Sequence, residues 1–466
     1  MDDSADLRRY PRSGPTMLRQ FLTLTAAQPD AAALIDGSTG AVTTRAALAA
    51  RARELSEQLD TLEPGELLAV QLPNSADFLA TLLAAFEREL VVVPIDRDAL
   101  PSEVAKILSH FSVRALVSRS DRGVMISTRK ASRVSLPRGA RLIKLTSGST
   151  GTPKGIVASD ANLIADCTNI CATMGITAAD RNLGAIPFSH SYGFSNLVTP
   201  LLLQGTAIVI SNDYLPQSIV ALCNQFACTV VPGIPMMFDH LTSLPHEDGG
   251  FTTVRTFLSA GAPLRAMTSR RFRERFGLPV HTFYGCSECG GITYDREGAA
   301  VERGTVGRAM DNVTLERSDT SRLLVRGANV ALGYLHDAAT FVPFDASTFT
   351  TDDLVDVNDD GDVSITGRVG DLITTASKKV NPREVELVLL QMDGVREAKV
   401  YGEPAGARGE VVAAAIVADP DITREQVRAF CRERLSLHKV PRIVKLIESI
   451  PVDERGKVKR SALAML

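Results

Sequence analysis

Between Leu145 and Gly155 the chain reads Leu-Thr-Ser-Gly-Ser-Thr-Gly-Thr-Pro-Lys-Gly. Glycines at 148 and 151 let backbone amides approach an anion closely. The hydroxyls of Thr146, Ser147, Ser149, Thr150 and Thr152 add donors, and Lys154 adds a positive charge. Such a loop suits a polyphosphate. It is not a Walker A loop, because Pro153 precedes Lys154 and Gly155 follows it where Ser or Thr would be needed. Two other clusters carry possible chemistry. Cys286 and Cys289 form a CxxC, a redox or zinc signature on its own, but no second cysteine pair stands at zinc-finger spacing. Asp352, Asp353, Asp356, Asp359, Asp360 and Asp362 form an acidic run. Read alone it is a calcium loop or a solvated turn, and its spacing does not match the EF-hand pattern.

Further motifs follow the loop in a fixed order: Pro187-Phe-Ser-His-Ser-Tyr-Gly193, Ser259-Ala-Gly-Ala-Pro-Leu264, Tyr284-Gly-Cys-Ser-Glu288, Leu324-Val-Arg-Gly327 through Gly333-Tyr334, Thr351-Asp-Asp353, Gly367-Arg368 and Gly456-Lys457. Together they make the chain resemble the adenylate-forming superfamily of acyl-CoA synthetases, adenylation domains and luciferases, over nearly its whole length. The resemblance implies a two-step reaction. A carboxylate attacks the α-phosphorus of ATP, pyrophosphate leaves, and the acyl-adenylate passes to a thiol. Charge builds on phosphoryl oxygens in such transfers, so cations and fixed donors supply most of the catalysis.

The resemblance also implies roles. Thr146, Ser147, Gly148, Ser149, Thr150, Gly151 and Lys154 would hold the phosphates. Glu288, with Thr146, would bind Mg²⁺, a hard cation that prefers oxygen. Ser287 would donate to the α-phosphate. Tyr284 and Gly285 would lie against adenine, with Gly261, Ala262 and Pro263 on the other side. Asp353 would accept from the ribose hydroxyls, and Arg368 would reach ribose or phosphate beside a hinge. Lys457 would sit between the carboxylate and the α-phosphate, and His190 would line the acid pocket. The acceptor implied is CoA, the phosphopantetheine of an acyl carrier protein, or a non-thiol nucleophile such as an amine. A non-catalytic nucleotide-binding homologue is the reading of a different class, and retention of Lys457, Glu288 and Asp353 argues against it.

Several positions depart from the family pattern. Asp352 stands for a Gly, Gly370 for an Asp or Lys, Thr374 for a Lys, Ser377 for a Gly, Lys379 for an Arg and Thr282 for an amide. Most lie in the block that serves the second half-reaction. Where adenylation domains for α-amino acids place an Asp to pair the ammonium, this chain has Ser189, and an unpaired buried ammonium is costly. The expected substrate is therefore a small carboxylic acid, aryl or medium aliphatic. The pocket is expected from 188–194, 231–236 and 284–293, mostly apolar or small, with no basic residue demanding a second carboxylate.

The elements that must position these residues are α/β. Ala76 to Leu90 has a helical apolar pattern and leads into Leu90–Ile95, a short buried-strand signal; Leu67–Leu72 and Gly205–Ile210 read the same way. Strand and helix alternating over hundreds of residues implies largely parallel sheets. The tail differs. Asn381-Pro-Arg-Glu384 is a helix start, with Val385, Val388, Leu389 and Met392 as its apolar face. Val411–Val417 reads as a strand. Thr423 with Gln426 caps a second helix with Val427, Phe430, Cys431 and Leu435 inward. The expected architecture is a large N-terminal α/β domain over 1–366, a hinge at 367–370 and a small mobile α+β domain over 371–466. Ser118 to Arg141, polar and basic, is expected as an exposed loop.

Composition agrees. At 466 residues the chain is too long for one core. With 51 basic and 54 acidic residues, it has no global positive field to gather nucleic acid. No run of about 20 apolar residues is present, so no membrane span is expected. Seven cysteines cannot all pair, and the first residues lack the apolar core of a signal peptide, which together imply a cytoplasmic protein.

Overall fold

The computed structural model describes residues 16–121, 123–147, 153–211, 215–245, 249–345, 347–375, 378–405, 410–451 and 463. The chain divides into two compact units, Met1–Leu315 with Val325–Phe349, and Glu316–Leu324 with Thr350–Leu466. The hinge expected at 367–370 lies inside the second.

The first unit is built on two large sheets. One has eight strands, in the order Thr340–Pro343, Gly333–Asp337, Pro153–Ser159, Ala140–Ser147, Val91–Pro94, Leu67–Gln71, Ala115–Ser120 and Gly123–Thr128. The other has nine, in the order Arg308–Ala309, Gly290–Tyr294, Val280–Cys286, Thr256–Ser259, Val230–Gly233, Arg181–Gly184, Ala207–Ile210, Ala32–Asp36 and Val42–Thr44. The centre of each is parallel. Parallel strands are covered on both faces, so they read as continuous apolar runs such as Val91-Val-Val93.

The helix Ala76–Glu87 explains how the two sheets share a core. Ser75 caps it by accepting from the Phe78 amide, and every residue from Phe78 to Phe86 is buried. A helix apolar on all sides belongs inside a large core. One cluster joins it to Leu68, Val92 and Leu142 of the eight-stranded sheet and to Leu34 and Ile208 of the other. Phe78 packs edge-on against Phe188, 5.6 Å between ring centres, so the core reaches directly beneath the expected acid segment. The outer face of the nine-stranded sheet is covered by the helices Pro216–Gln225, Pro235–Thr242 and Ala266–Phe276. That of the eight-stranded sheet is covered by Val104 and Phe111.

The stretch expected as an exposed loop, 118–141, divides: 129–139 is irregular and mostly exposed as expected, but the part before it is not a loop. Ala115–Ser120 and Gly123–Thr128 pair as an antiparallel hairpin at the sheet edge. Val124 and Ile126 pack inward while Met125 faces solvent. This two-residue alternation is short, and the surrounding arginines and serines mask it.

In the second unit the strands Thr348–Val357 and Val363–Arg368 are antiparallel, with Asp353 opposite Arg368. Asn381 caps the helix Pro382–Leu389 by accepting from the Arg383 amide, and its amide nitrogen donates to the Thr366 carbonyl at 2.7 Å. A β-carbon on Gly367 would collide with that Asn381 side chain. Val385 and Leu389 are buried as the spacing implies, but so is Glu386. Its carboxylate takes Lys399 Nζ at 2.8 Å and the Val400 amide at 3.1 Å. The strand Glu410–Ala418 and the helix Arg424–Arg434 with its Thr423/Gln426 capping box match the sequence reading. Val427 and Cys431 are buried, and Phe430 and Leu435 are half-buried.

Candidate active site

Parallel strands send their C-terminal ends to one edge of a sheet, and the crevice outside that edge is where open α/β folds bind ligands. Here Arg181–Gly184 leads to the 187–193 segment, Val230–Gly233 to Ile234, and Thr256–Ser259 to Ala260–Pro263. The neighbouring Val280–Cys286 carries Tyr284. Gly261 has φ +86°, a left-handed conformation that favours glycine. Ser259 stands opposite Thr282 in the parallel register. Both hydroxyls are buried and find no hydrogen-bond partner among the described residues.

The glycine-rich motif joins two antiparallel strands, with Thr146 opposite Lys154. Its centre, Gly148, Ser149, Thr150 and Gly151, lies outside the described residues, as does the Ser147 side chain. Lys154 lies on the strand next to Gly333–Asp337, where Tyr334 is opposite Ile156. The Lys154 ammonium sits over the Tyr334 ring, 5.2 Å from its centre, within cation–π range. The Tyr334 phenol donates to Glu288 Oε1 at 2.7 Å, and the Glu288 carbonyl accepts from the Ala331 amide at 2.8 Å. Lys154, Tyr334 and Glu288 thus form a row: a cation, a ring between, and a carboxylate of opposite sign.

Glu288 occupies a tight turn between Val280–Cys286 and Gly290–Tyr294, closed by the Cys289 amide on the Cys286 carbonyl. Gly285 pairs with Gly291 in this hairpin. Ser287 Oγ accepts from Ser191 Oγ at 2.8 Å, which ties the turn to the acid segment. The Cys286 thiol is pushed well up, by its hydrogen bond with Cys289 first, then by burial, then by the Glu288 charge. All seven cysteines are free, and among the described residues no group of three or more His, Cys, Asp or Glu is arranged to hold a metal. A site with one carboxylate fits Mg²⁺ bound chiefly through substrate phosphates and water.

His190 Nε2 lies 3.1 Å from Asp96 Oδ2. Asp96 follows the strand Val91–Pro94 and was not found from the sequence; its only signal is a polar residue just past a buried strand. Asn74 was also missed. It accepts from the Phe188 amide at 2.7 Å and donates to the Gly184 and Ile186 carbonyls, clamping the segment that leads to His190. Beyond His190 the chain makes a π-turn, Phe194–Val198, a feature common at functional sites. Gly193 approaches the Pro187 carbonyl too closely for any side chain.

Asp353 and Arg368 belong to the second unit, where Arg368 Nε is 3.6 Å from Asp353 Oδ1. Three departures also find partners there. Asp352 pairs with Arg322 at 2.9 Å. Thr374 Oγ1 accepts from Lys379 Nζ at 2.7 Å, so two of the altered positions compensate one another across a two-stranded ladder. Gly370 lies in a single 3₁₀ turn, Val369–Asp371. Lys457 and Ser377 lie outside the described residues.

Comparison with known proteins adds an independent line. The pattern of the AMP-binding enzyme family matches residues 22–139 and 137–335, and that of its C-terminal domain matches 384–457. A CoA ligase of Rhodococcus jostii, named for a methyl-dioxo-octahydroindenyl propanoyl group, is 30% identical over 427 residues, 88% of this chain and 81% of that protein. A feruloyl-CoA synthase of Amycolatopsis is 27% identical over 467 residues, 92% of this chain and 94% of that one. Among solved structures, ATP-bound MatB from Rhodopseudomonas palustris superposes with a TM-score of 0.81 at 24% identity, covering 97% of this chain and 99% of that chain. The o-succinylbenzoate CoA synthetase of Bacillus subtilis, complexed with its acyl-adenylate, gives 0.79 at 23% identity, covering 97% and 98%. These two likenesses establish the fold.

Proposed function

The chain belongs to the AMP-binding enzyme family, and from that premise we propose that it is an ATP-dependent, AMP-forming acid–thiol ligase. The substrate carboxylate attacks the α-phosphorus of ATP and forms the acyl-phosphate bond as the bond to pyrophosphate breaks. A thiol then attacks the acyl carbon and AMP leaves. The observation that carries this reading is the row Lys154–Tyr334–Glu288 beside the glycine-rich hairpin. It lines up a cation and a carboxylate on either side of one ring, a pairing suited to a metal-bound polyphosphate.

Thr146, Ser147, Gly148, Ser149, Thr150, Gly151 and Lys154 hold the phosphates in this reading, with Ser287 on the α-phosphate. Adenine lies against Tyr284 and Gly285, with Gly261, Ala262 and Pro263 opposite. Asp353 takes the ribose hydroxyls, and Arg368 serves ribose or phosphate. Glu288 and Thr146 would hold Mg²⁺, which would neutralise phosphate charge. Lys457 offsets repulsion between the two anions as they meet, carried on a second domain that moves about a hinge at 367–370.

The acid is aryl or medium aliphatic, and no basic residue in the expected pocket segments demands a second carboxylate. The curated relatives described above are CoA enzymes by name, which favours CoA over a carrier protein as acceptor. No helix among the described residues is long and apolar enough to cross a membrane. Free thiols and the need for ATP and CoA suit the cytoplasm.

The test is ATP–pyrophosphate exchange across aryl, fatty and amino acids, followed by addition of CoA or a phosphopantetheinylated carrier. Exchange with an aryl or aliphatic acid and thioester formation with CoA are expected. Exchange with amino acids alone would reject the substrate class, and no AMP with any acid would reject the ligase.

A further inference from the structure

Asp166 lies on the helix Asp160–Met174, away from every motif above, and its side chain is buried. Its two oxygens serve different segments. Oδ1 accepts from the Gly291 amide at 2.9 Å, and Oδ2 accepts from Ser195 Oγ at 2.6 Å. Gly291 is three residues past Glu288 on the same hairpin, and Ser195 is in the π-turn five residues past His190. Burial raises the Asp166 carboxyl, and the Lys144 charge and the hydrogen bonds from Ser195 and Gly291 offset only part of that rise. Lys144 is two residues before Thr146, on the strand that enters the glycine-rich loop. Gly290, between Glu288 and Gly291, has φ +67°, and a methyl there would fall on the Asp166 carboxylate.

We propose that Asp166 is a positioning residue for adenylation: one buried carboxylate locks the Glu288 hairpin and the His190 segment into a single geometry. The proposal rests on the ligase reading above. Its physical basis is that a carboxyl group holds hydrogen bonds on both oxygens, so two donors from two loops are satisfied at fixed positions. An apolar residue of similar size would fill the space and hold none of them. Reacting groups on separate segments need such a lock, since a misplacement of about 1 Å can cost on the order of 100-fold in rate.

The experiment uses full-length Asp166→Asn and Ser195→Ala. Asn keeps the shape, but it presents an NH₂ to one of the two donors. In pyrophosphate exchange, Asp166→Asn is expected to lower kcat about 10- to 100-fold while KM for ATP stays within about 3-fold. Ser195→Ala is expected to lower kcat about 3-fold. In both, amide hydrogen exchange of 286–291 should quicken while that of the helix Ala76–Glu87 stays as in wild type, a local loosening that general destabilisation would not produce. If Asp166→Asn fails to fold, Ser195→Ala carries the decision. A folded variant with wild-type kcat and unchanged exchange at 286–291, or one that loosens the hairpin and the core helix equally, overturns the proposal. A wild-type enzyme inactive with every acid rejects the ligase reading instead, and the hydrogen-exchange comparison then still decides whether Asp166 holds the hairpin.

Discussion

Tyr334→Phe separates the two things that Tyr334 does. The ring carries Lys154 5.2 Å above it and packs edge-on against Phe344, 4.9 Å between centres. Phenylalanine keeps both contacts. Only the phenol is lost, and with it the 2.7 Å hydrogen bond to Glu288. A hydrogen bond to a charged acceptor is worth about 1.5–3 kcal/mol. Glu288 is half-buried, so water replaces part of that bond and the lower end applies, about 1–2 kcal/mol. At about 1.4 kcal/mol per tenfold, the variant should lose roughly 5- to 30-fold in kcat/KM for ATP. The assay is pyrophosphate exchange at varied ATP and fixed, saturating Mg²⁺. Melting temperature should fall by only a few degrees, since the packing is conserved and the one lost hydrogen bond is worth about 1–2 kcal/mol. If the phenol acts through Glu288, Tyr334→Phe should add nothing in a Glu288→Gln background. Wild-type kcat/KM in the single variant would refute the reasoning. Additive losses in the double variant would show that the phenol works on something other than Glu288.

Asp96→Asn should weaken the hold on His190 and raise KM for the acid about 3- to 10-fold with kcat nearly unchanged; an unaltered KM would remove Asp96 from the acid pocket. Lys457→Ala should lower adenylation on the order of 10²- to 10³-fold, read by pyrophosphate exchange, and near-normal exchange would reject its role. Asp180 supplies a pH test remote from the site. Burial pushes its carboxyl up, but hydrogen bonds from Arg255, the Thr177 amide and Thr229 outweigh this and hold it below the usual range. A depressed folded-state pKa stabilises above the unfolded value of about 3.9, and that stability is lost as pH falls through the folded value. The gap in unfolding midpoint between wild type and Asp180→Asn should therefore be full at neutral pH and shrink below about pH 4. A gap independent of pH would show that shape, not charge, matters there.

Much of the fold is legible along the chain because its causes are local. The caps at Asn381 and Thr423, the valine run 91–93 and the helix after Ser75 each rest on residues within a few positions of one another. The alternation Val124–Ile126 is equally local but was hidden by surrounding charge. Glu386 was missed for another reason: a helical wheel assigns faces by apolar spacing and cannot show that Lys399, on a strand, supplies a counter-charge.

The candidate site divides along the same line. By itself the sequence determined the chemistry on offer: hydroxyls, glycines and a lysine suited to a polyphosphate, and motifs in one order that mark the family. Only the tertiary structure decided which groups meet. Tyr334 reaches Glu288, Asp96 reaches His190, and Asp166 joins Ser195 to Gly291, across separations of 46, 94, 29 and 125 residues. Backbone preference and side-chain period act over one or two turns of chain. Encounters at these distances are set by how parallel strands are ordered in a sheet and by the shared core that holds two sheets together.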